Sequence, residues 1–183
     1  MSARGGRSGM TAIELVVVLG VMLTLSSLTV TGLVANLRKG RLNQAVGDLV
    51  EASNDAARLA RTTQPAAGGA EYGVRVGNDA GGRSYIAVVL GDPNAPAAAA
   101  EVRRRTLNEN LMIYRGTDPI AGSWSWFYGY GTGEPHDPVT LEPISIGAGP
   151  LGDRDHLSIR TLDNQLKRAV AIYEIGVVAS EDF

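Results

Sequence analysis

Gly9-Met10-Thr11-Ala12-Ile13-Glu14-Leu15-Val16-Val17-Val18-Leu19 opens a run that continues without a charged residue for 23 positions, residues 15–37. As a helix at about 1.5 Å per residue the run measures about 34 Å, enough to cross a hydrocarbon core of about 30 Å. It predicts a membrane-spanning helix. In front of it stands a short basic, glycine-rich leader carrying Arg4 and Arg7, and behind it come Arg38, Lys39 and Arg41. Two cations before and three after do not set an orientation by charge alone. A basic leader and an apolar stretch also describe a secretory signal peptide, for which Val30-Thr31-Gly32 would be a passable cleavage site. Against that reading, the run is longer than the 7–15 residues usual for a signal peptide, and a carboxylate, Glu14, stands at its threshold.

Outward from this segment the chain reads as an ordinary globular protein. Of 183 residues, 44% are hydrophobic and 20% charged, so there is material for one core beside the apolar helix. The balance of 17 basic against 19 acidic residues gives no overall footprint for nucleic acid or an anionic membrane. No cysteine is present, which excludes disulfides, thiolate metal sites and thiol nucleophiles. The two histidines, His136 and His156, are too far apart for a local HExxH-type site. A nucleophile, a base and an orienting group cannot be assembled from the sequence, so a membrane-anchored or secreted hydrolase is disfavoured and the chain reads as a non-enzyme without cofactors.

The segment quoted first resembles the cleavage and methylation signal of type IV pilins and type II secretion pseudopilins. In that family a basic leader ends in glycine, a prepilin peptidase cuts after it, and the mature chain begins with an aromatic-Thr-Leu-Ile-Glu-Leu pattern before an apolar helix. The resemblance makes Gly9 the residue before the cut, Met10 the new and N-methylated terminus, and Glu14 the fifth mature residue. Met10 replaces the usual Phe, Ala12 the usual Leu, and Thr31 stands where many relatives have a kinking proline. The spacing has its own logic. Glycine lets a protease approach the backbone closely, and cleavage would create an amine one helical turn from Glu14, where each charge in low dielectric needs a counter-charge. In the family the glutamate is thought to meet the amine of a neighbouring subunit and so to set register during assembly.

After residue 37 the helical signal continues. Leu42, Val46, Leu49, Val50, Ala56, Ala57, Leu59 and Ala60 recur at about 3.6-residue spacing, while the charges fall mostly elsewhere. The helix is expected to turn amphipathic where it leaves lipid and to end near Thr63, before Pro65. From there to the end, short β-branched or aromatic runs alternate with turn residues, predicting strands at 72–76, 84–90, 111–115, 124–130, 157–162 and 170–178, with loops at 92–100 and 132–138. The expected fold class is α+β: a long N-terminal helix, half membrane-spanning and half amphipathic, packed on one meandering antiparallel sheet in a pilin-like way. The organisation is a cleaved leader 1–9, an assembly helix 10–37, its amphipathic continuation 38–64 and a β-rich periplasmic domain 65–183. The passage 45–76, an Ala-Arg-rich helix end running into Tyr72-Gly-Val-Arg-Val76, is similar to the GspH/FimT group of minor pseudopilins.

Three further clusters are candidates for chemistry. Trp124, Trp126, Tyr128 and Tyr130 alternate, which would put four aromatics on one strand face, either as core against the helix or as an interface for a neighbour or cargo. Arg103-Arg104-Arg105 is the longest basic run in the globular part, a solvated loop or a phosphate-contacting patch. Some pilins bind DNA during uptake, and these arginines would serve that role, although loss of the leader leaves 15 basic against 19 acidic residues. Gly129-Tyr-Gly131-Thr-Gly133 is not a nucleotide loop, since no helix pattern follows it. Asp153, Asp155 and His156 could ligate a metal but lack the spacing of a calcium loop, so no metal is expected. The resemblance implies a minor subunit of a type II secretion pseudopilus. It would be anchored in a bacterial inner membrane with its globular domain in the periplasm, partnered by the prepilin peptidase, other pilin or pseudopilin subunits and a secreted cargo. The alternative is a DNA-binding minor pilin of a type IV pilus.

Overall fold

The computed structural model describes residues 10–64, 69–138, 140–141, 143–144, 157–173 and 178–181, with backbone alone at 28–31 and 178–181. The chain is α+β, as expected. Among the described residues a 51-residue helix, α1 (Ala12–Thr62), precedes ten strands: β1 (Glu71–Asn78), β2 (Ser84–Gly91), β3 (Ala100–Thr106), β4 (Leu111–Arg115), β5 (Asp118–Pro119), β6 (Ser123–Tyr128), β7 (Pro135–His136), β8 (Leu157–Thr161), β9 (Lys167–Ile172) and β10 (Val178–Glu181). The chain divides into two compact units at Lys39/Gly40. The first contains the apolar part of α1; the second contains the remainder of α1 and all the strands.

In the second unit, α1 buries Leu42, Ala45, Val46, Leu49, Ser53, Ala56, Ala57 and Ala60. The spacing of three and four residues makes one stripe along the helix. The stripe is the amphipathic face read from the sequence. α1 ends one residue before the expected position, and the chain that follows at 65–68, Pro65 included, lies outside the described residues. Its last turn is closed from a distance. Gly131 N donates to the Ala60 carbonyl at 3.0 Å, and Arg61 Nε donates to the Thr132 carbonyl at 3.0 Å. A helix end leaves carbonyls without intrahelical donors, and here the β6–β7 turn supplies one. Gly131 and Gly133 adopt left-handed φ values of 80° and 69°, and a Cβ at Gly133 would lie 2.3 Å from Arg61 Nε. The Gly-Tyr-Gly-Thr-Gly stretch is a turn, and glycine is required there by conformation and by close approach.

The single sheet expected from the strand pattern is in fact two. One has the order β3-β2-β1-β6-β7 and the other β10-β9-β8-β4-β5, both antiparallel. After β3 the chain crosses to the second sheet for β4 and β5, returns for β6 and β7, and crosses again for β8. These crossings depend on non-local pairings, Val74 with Trp126 in β1–β6 and Ile113 with Ile159 in β4–β8, which local periodicity does not encode. The α1 stripe, Val74, Val76, Ile86, Val88 and Trp126 of one sheet, and Leu111, Ile113, Leu157, Ile159, Val170 and Ile172 of the other form one hydrophobic cluster. Polar bonds also tie the sheets: Ile113 N donates to Ser84 Oγ at 3.2 Å, and Asn78 Nδ2 donates to the Ile120 carbonyl at 2.8 Å.

The expected loop at 92–100 contains a 3-10 turn, Pro96–Ala98, and folds over the outer face of the first sheet. There Tyr85, Ala87, Val89, Ala99 and Phe127 make a small second core. Arg75, buried among them, donates to the carbonyls of Pro96 and Ala99 and lies 3.8 Å from Glu101. The expected loop at 132–138 contains the two-residue strand β7. In that strand His136 Nε2 lies 2.8 Å from Glu71 Oε2, and burial raises the Glu71 carboxyl above its usual range.

Trp126 Nε1 donates to the Tyr128 hydroxyl at 3.0 Å within the main core. Burial pushes the Tyr128 phenol up to about 12 from 10, only partly countered by the hydrogen bond from Trp126. The unfolded phenol ionises near 10 while the folded one stays neutral, so stability present below pH 10 is lost as pH rises toward 12. The expected loss across that window is about 2–3 kcal/mol. Denaturant titrations between pH 9 and 12 will measure it, and a Tyr128→Phe variant should lack this component of the slope.

Candidate functional site

At the start of α1 two side chains cap each other. Thr11 Oγ1 accepts from Glu14 N at 3.3 Å, and Glu14 Oε2 accepts from Thr11 N at 2.9 Å and from the Thr11 hydroxyl at 3.0 Å. This is a capping box, which satisfies amide donors that a helix start leaves open. Its signal, Thr-x-x-Glu before an apolar run, stands in the sequence at residues 11–14. Both Thr11 bonds fall on Oε2, and Oε1 makes no hydrogen bond among the described residues. The carboxylate therefore caps with one oxygen while the other stays open to a cation. Met10 is 60% exposed, and Gly9 with the rest of the leader lies outside the described residues.

Beyond the cap, the apolar side chains described in the first unit are uncovered. Ile13 is 77% exposed and Leu23 72%, and Leu15, Val16, Leu19, Leu33 and Leu37 are exposed as well. α1 is long and apolar enough to cross a membrane. A surface of that size left in water would be unfavourable, at about 25 cal/mol per Å² of apolar area, so it calls for lipid or for another apolar surface.

The arginine run is not a loop. Residues 103–105 belong to β3, an edge strand that the strand pattern misses because it is almost wholly exposed and carries no apolar alternation. Arg105 donates to Asp48 and, as a two-pronged fork at 2.9 Å on each oxygen, to Glu51. Arg103 lies 3.2 Å from both Glu51 and Asp55. Asp48, Glu51 and Asp55 fall on one side of α1, so the strand is clamped to the helix through charge. The hydrogen bond from Arg105 holds the Glu51 carboxyl below the usual carboxylate range. That contribution is present above the unfolded pKa and fades as acid protonates the folded carboxylate. Arg104 leaves by the other face, 3.8 Å from the centre of the Tyr85 ring and 3.4 Å from Glu101. A phosphate reaching these three arginines would compete with carboxylates already in place.

The four aromatics do not share one exposed face. Trp126 and Tyr128 are fully buried in the main core, so they are unavailable as interface residues; a strand sandwiched against α1 needs large side chains there. Trp124 is half-buried, 5.0 Å from Trp126 between ring centres, with the Arg115 guanidinium 4.7 Å above it. Tyr130 lies past the end of β6 in the turn that leads to β7 and is 50% exposed. Asp153, Asp155 and His156 lie outside the described residues. Among the described residues no group of three metal-ligating side chains is found.

Comparison of the chain with family models, with curated proteins and with solved structures finds no match.

Proposed function

We propose that the protein is a minor pilin-like subunit, a pseudopilin, held in a bacterial inner membrane by the apolar part of α1 and assembled into a type II secretion pseudopilus after removal of residues 1–9. The observation that carries the reading is the start of α1: Glu14, with an uncommitted carboxylate oxygen, at the head of an uncovered apolar helix of spanning length. The cap with Thr11 uses one oxygen of Glu14 and would be served equally by an uncharged amide, so it does not by itself call for a charge where entry into lipid is costly. Register between stacked helices does, because a misplaced neighbour would leave a carboxylate and an amine both unpaired. The work of such a subunit is mechanical, and the globular unit would be displayed in the periplasm. The resemblance to GspH/FimT-like minor subunits supports a specialised position rather than that of a major pilin. The DNA-uptake alternative draws no support from Arg103, Arg104 and Arg105, whose charges face Asp48, Glu51, Asp55 and Glu101.

The test is the intact mass and N-terminal sequence of the protein from its native membrane, with and without prepilin peptidase. The expected product begins at N-methylated Met10 and depends on the peptidase. A chain beginning near Leu33, or an unprocessed chain beginning at Met1, would overturn the reading.

A further inference from the structure

On the second sheet, β8 and β9 bring two cations together. Leu157, Ile159, Val170 and Ile172 of these strands face the main core, so alternation puts Ser158, Arg160, Lys167 and Ala169 on the opposite face. Arg160 stands directly across from Lys167 in the β8–β9 ladder. Residues so opposed have Cβ atoms about 5 Å apart, and like charges in that relation repel.

The arginine is not a surface side chain that can swing away. Arg160 is 7% exposed, and its guanidinium is held by three neutral groups. Nε donates to Ser158 Oγ at 2.9 Å, Nη2 donates to the Gly116 carbonyl at 2.6 Å, and the guanidinium carbon sits 4.4 Å from the centre of the Tyr114 ring. No described carboxylate lies within ion-pair distance of Arg160 or Lys167. Arg75, the other buried arginine among the described residues, has Glu101, and the half-buried Arg105 has Asp48 and Glu51. A buried cation that meets no carboxylate among the described residues is unfavourably placed, and a second cation beside it makes the position worse. The fixed guanidinium leaves Nη1 without a hydrogen bond among the described residues, with two N–H donors beside the Lys167 strand position.

We propose that Arg160 and Lys167 form a binding site for an oxyanion, a phosphate or carboxylate group that bridges Nη1 of the guanidinium and the lysine ammonium. Ser158, Gly116 and Tyr114 orient the guanidinium; the anion supplies the missing charge. The site is independent of the assembly reading, since it uses only residues of the sheet unit. The two sources of such a group, a phosphorylated molecule and an acidic side chain of a protein partner, differ in charge and shape and are separable by experiment.

The test uses the full chain in detergent micelles, titrated with inorganic phosphate at constant ionic strength while the Arg160 Nε–H resonance and the amides of β8 and β9 are followed by NMR. A saturable shift is expected. Lys167→Met, a change at a half-buried position that leaves the core untouched, should weaken phosphate at least about tenfold, and Lys167→Arg should restore it. A parallel titration with acetate separates the sources: comparable affinity for acetate assigns the site to a partner's carboxylate, and strong preference for phosphate assigns it to a phosphorylated ligand. Absence of a saturable shift up to ~50 mM of either anion, or unchanged affinity in Lys167→Met, would overturn the proposal.

Discussion

On the proposed assembly role, Glu14→Gln should cut incorporation of the protein into filaments by about a hundredfold or more while leaving removal of residues 1–9 intact. The amide keeps an oxygen for the Thr11 bonds, so the helix start survives, but it carries no charge to meet a neighbour's amine. Loss of one partner from a buried pair costs about 3–5 kcal/mol, and each 1.4 kcal/mol is tenfold. The companion variant is Thr11→Ala, which removes the hydroxyl from the capping box and keeps the carboxylate. Loss of a cap costs about 1 kcal/mol, so incorporation should fall by no more than about tenfold. Quantifying each variant in sheared filaments against total membrane protein distinguishes the two roles of Glu14. If Thr11→Ala proved as damaging as Glu14→Gln, the acid would be a helix cap and its part in register would be withdrawn.

Trp126→Ala should destabilise the globular unit by about 3–5 kcal/mol, the range for an aromatic removed from a packed core. Domains of this size have about 5–15 kcal/mol in all, so the variant would be marginal. Two effects add. The cavity opens where the first sheet meets the α1 stripe, and the Tyr128 hydroxyl loses the Trp126 N–H. Trp126→Phe keeps most of the volume but loses the hydrogen bond, which should cost about 1–2 kcal/mol beyond the change in size. Urea denaturation of the full chain in detergent, followed by the fluorescence of Trp124, measures both. A cost below about 1 kcal/mol for Trp126→Ala would mean that the α1 stripe does not rest on this side chain.

Most element positions are legible in the amino-acid sequence. Glycine, proline and aspartate punctuate the strands, and the predicted 84–90 and 111–115 differ from β2 and β4 by at most one residue. The amphipathic half of α1 is legible because a 3.6-residue repeat has one solution. β3 is not, because an edge strand with both faces near solvent has no apolar alternation to read, and its charges suggest a loop. The same reason hides the clamp: Asp48, Glu51 and Asp55 are about 50 residues from their arginines, and charge spacing along the chain says nothing about that meeting. The alternation of Trp124, Trp126, Tyr128 and Tyr130 locates a strand but leaves its direction open. Only burial shows that Trp126 and Tyr128 are enclosed in the core with Trp124 packed at its margin, while Tyr130 lies beyond the strand in the turn.

The amino-acid sequence alone determined an uncharged helix of spanning length with an acid at its head, an amphipathic continuation, and a β-rich remainder, because each depends on neighbours within a few turns or a few strand residues. Tertiary structure decided that the strands divide between two sheets, that Arg103 and Arg105 are tied to α1, and that Arg160 is buried beside Lys167 with no carboxylate in ion-pair reach among the described residues. Each of those outcomes rests on which distant segments pair, and pairing is chosen by the fit of whole faces, a quantity that no local window of residues contains.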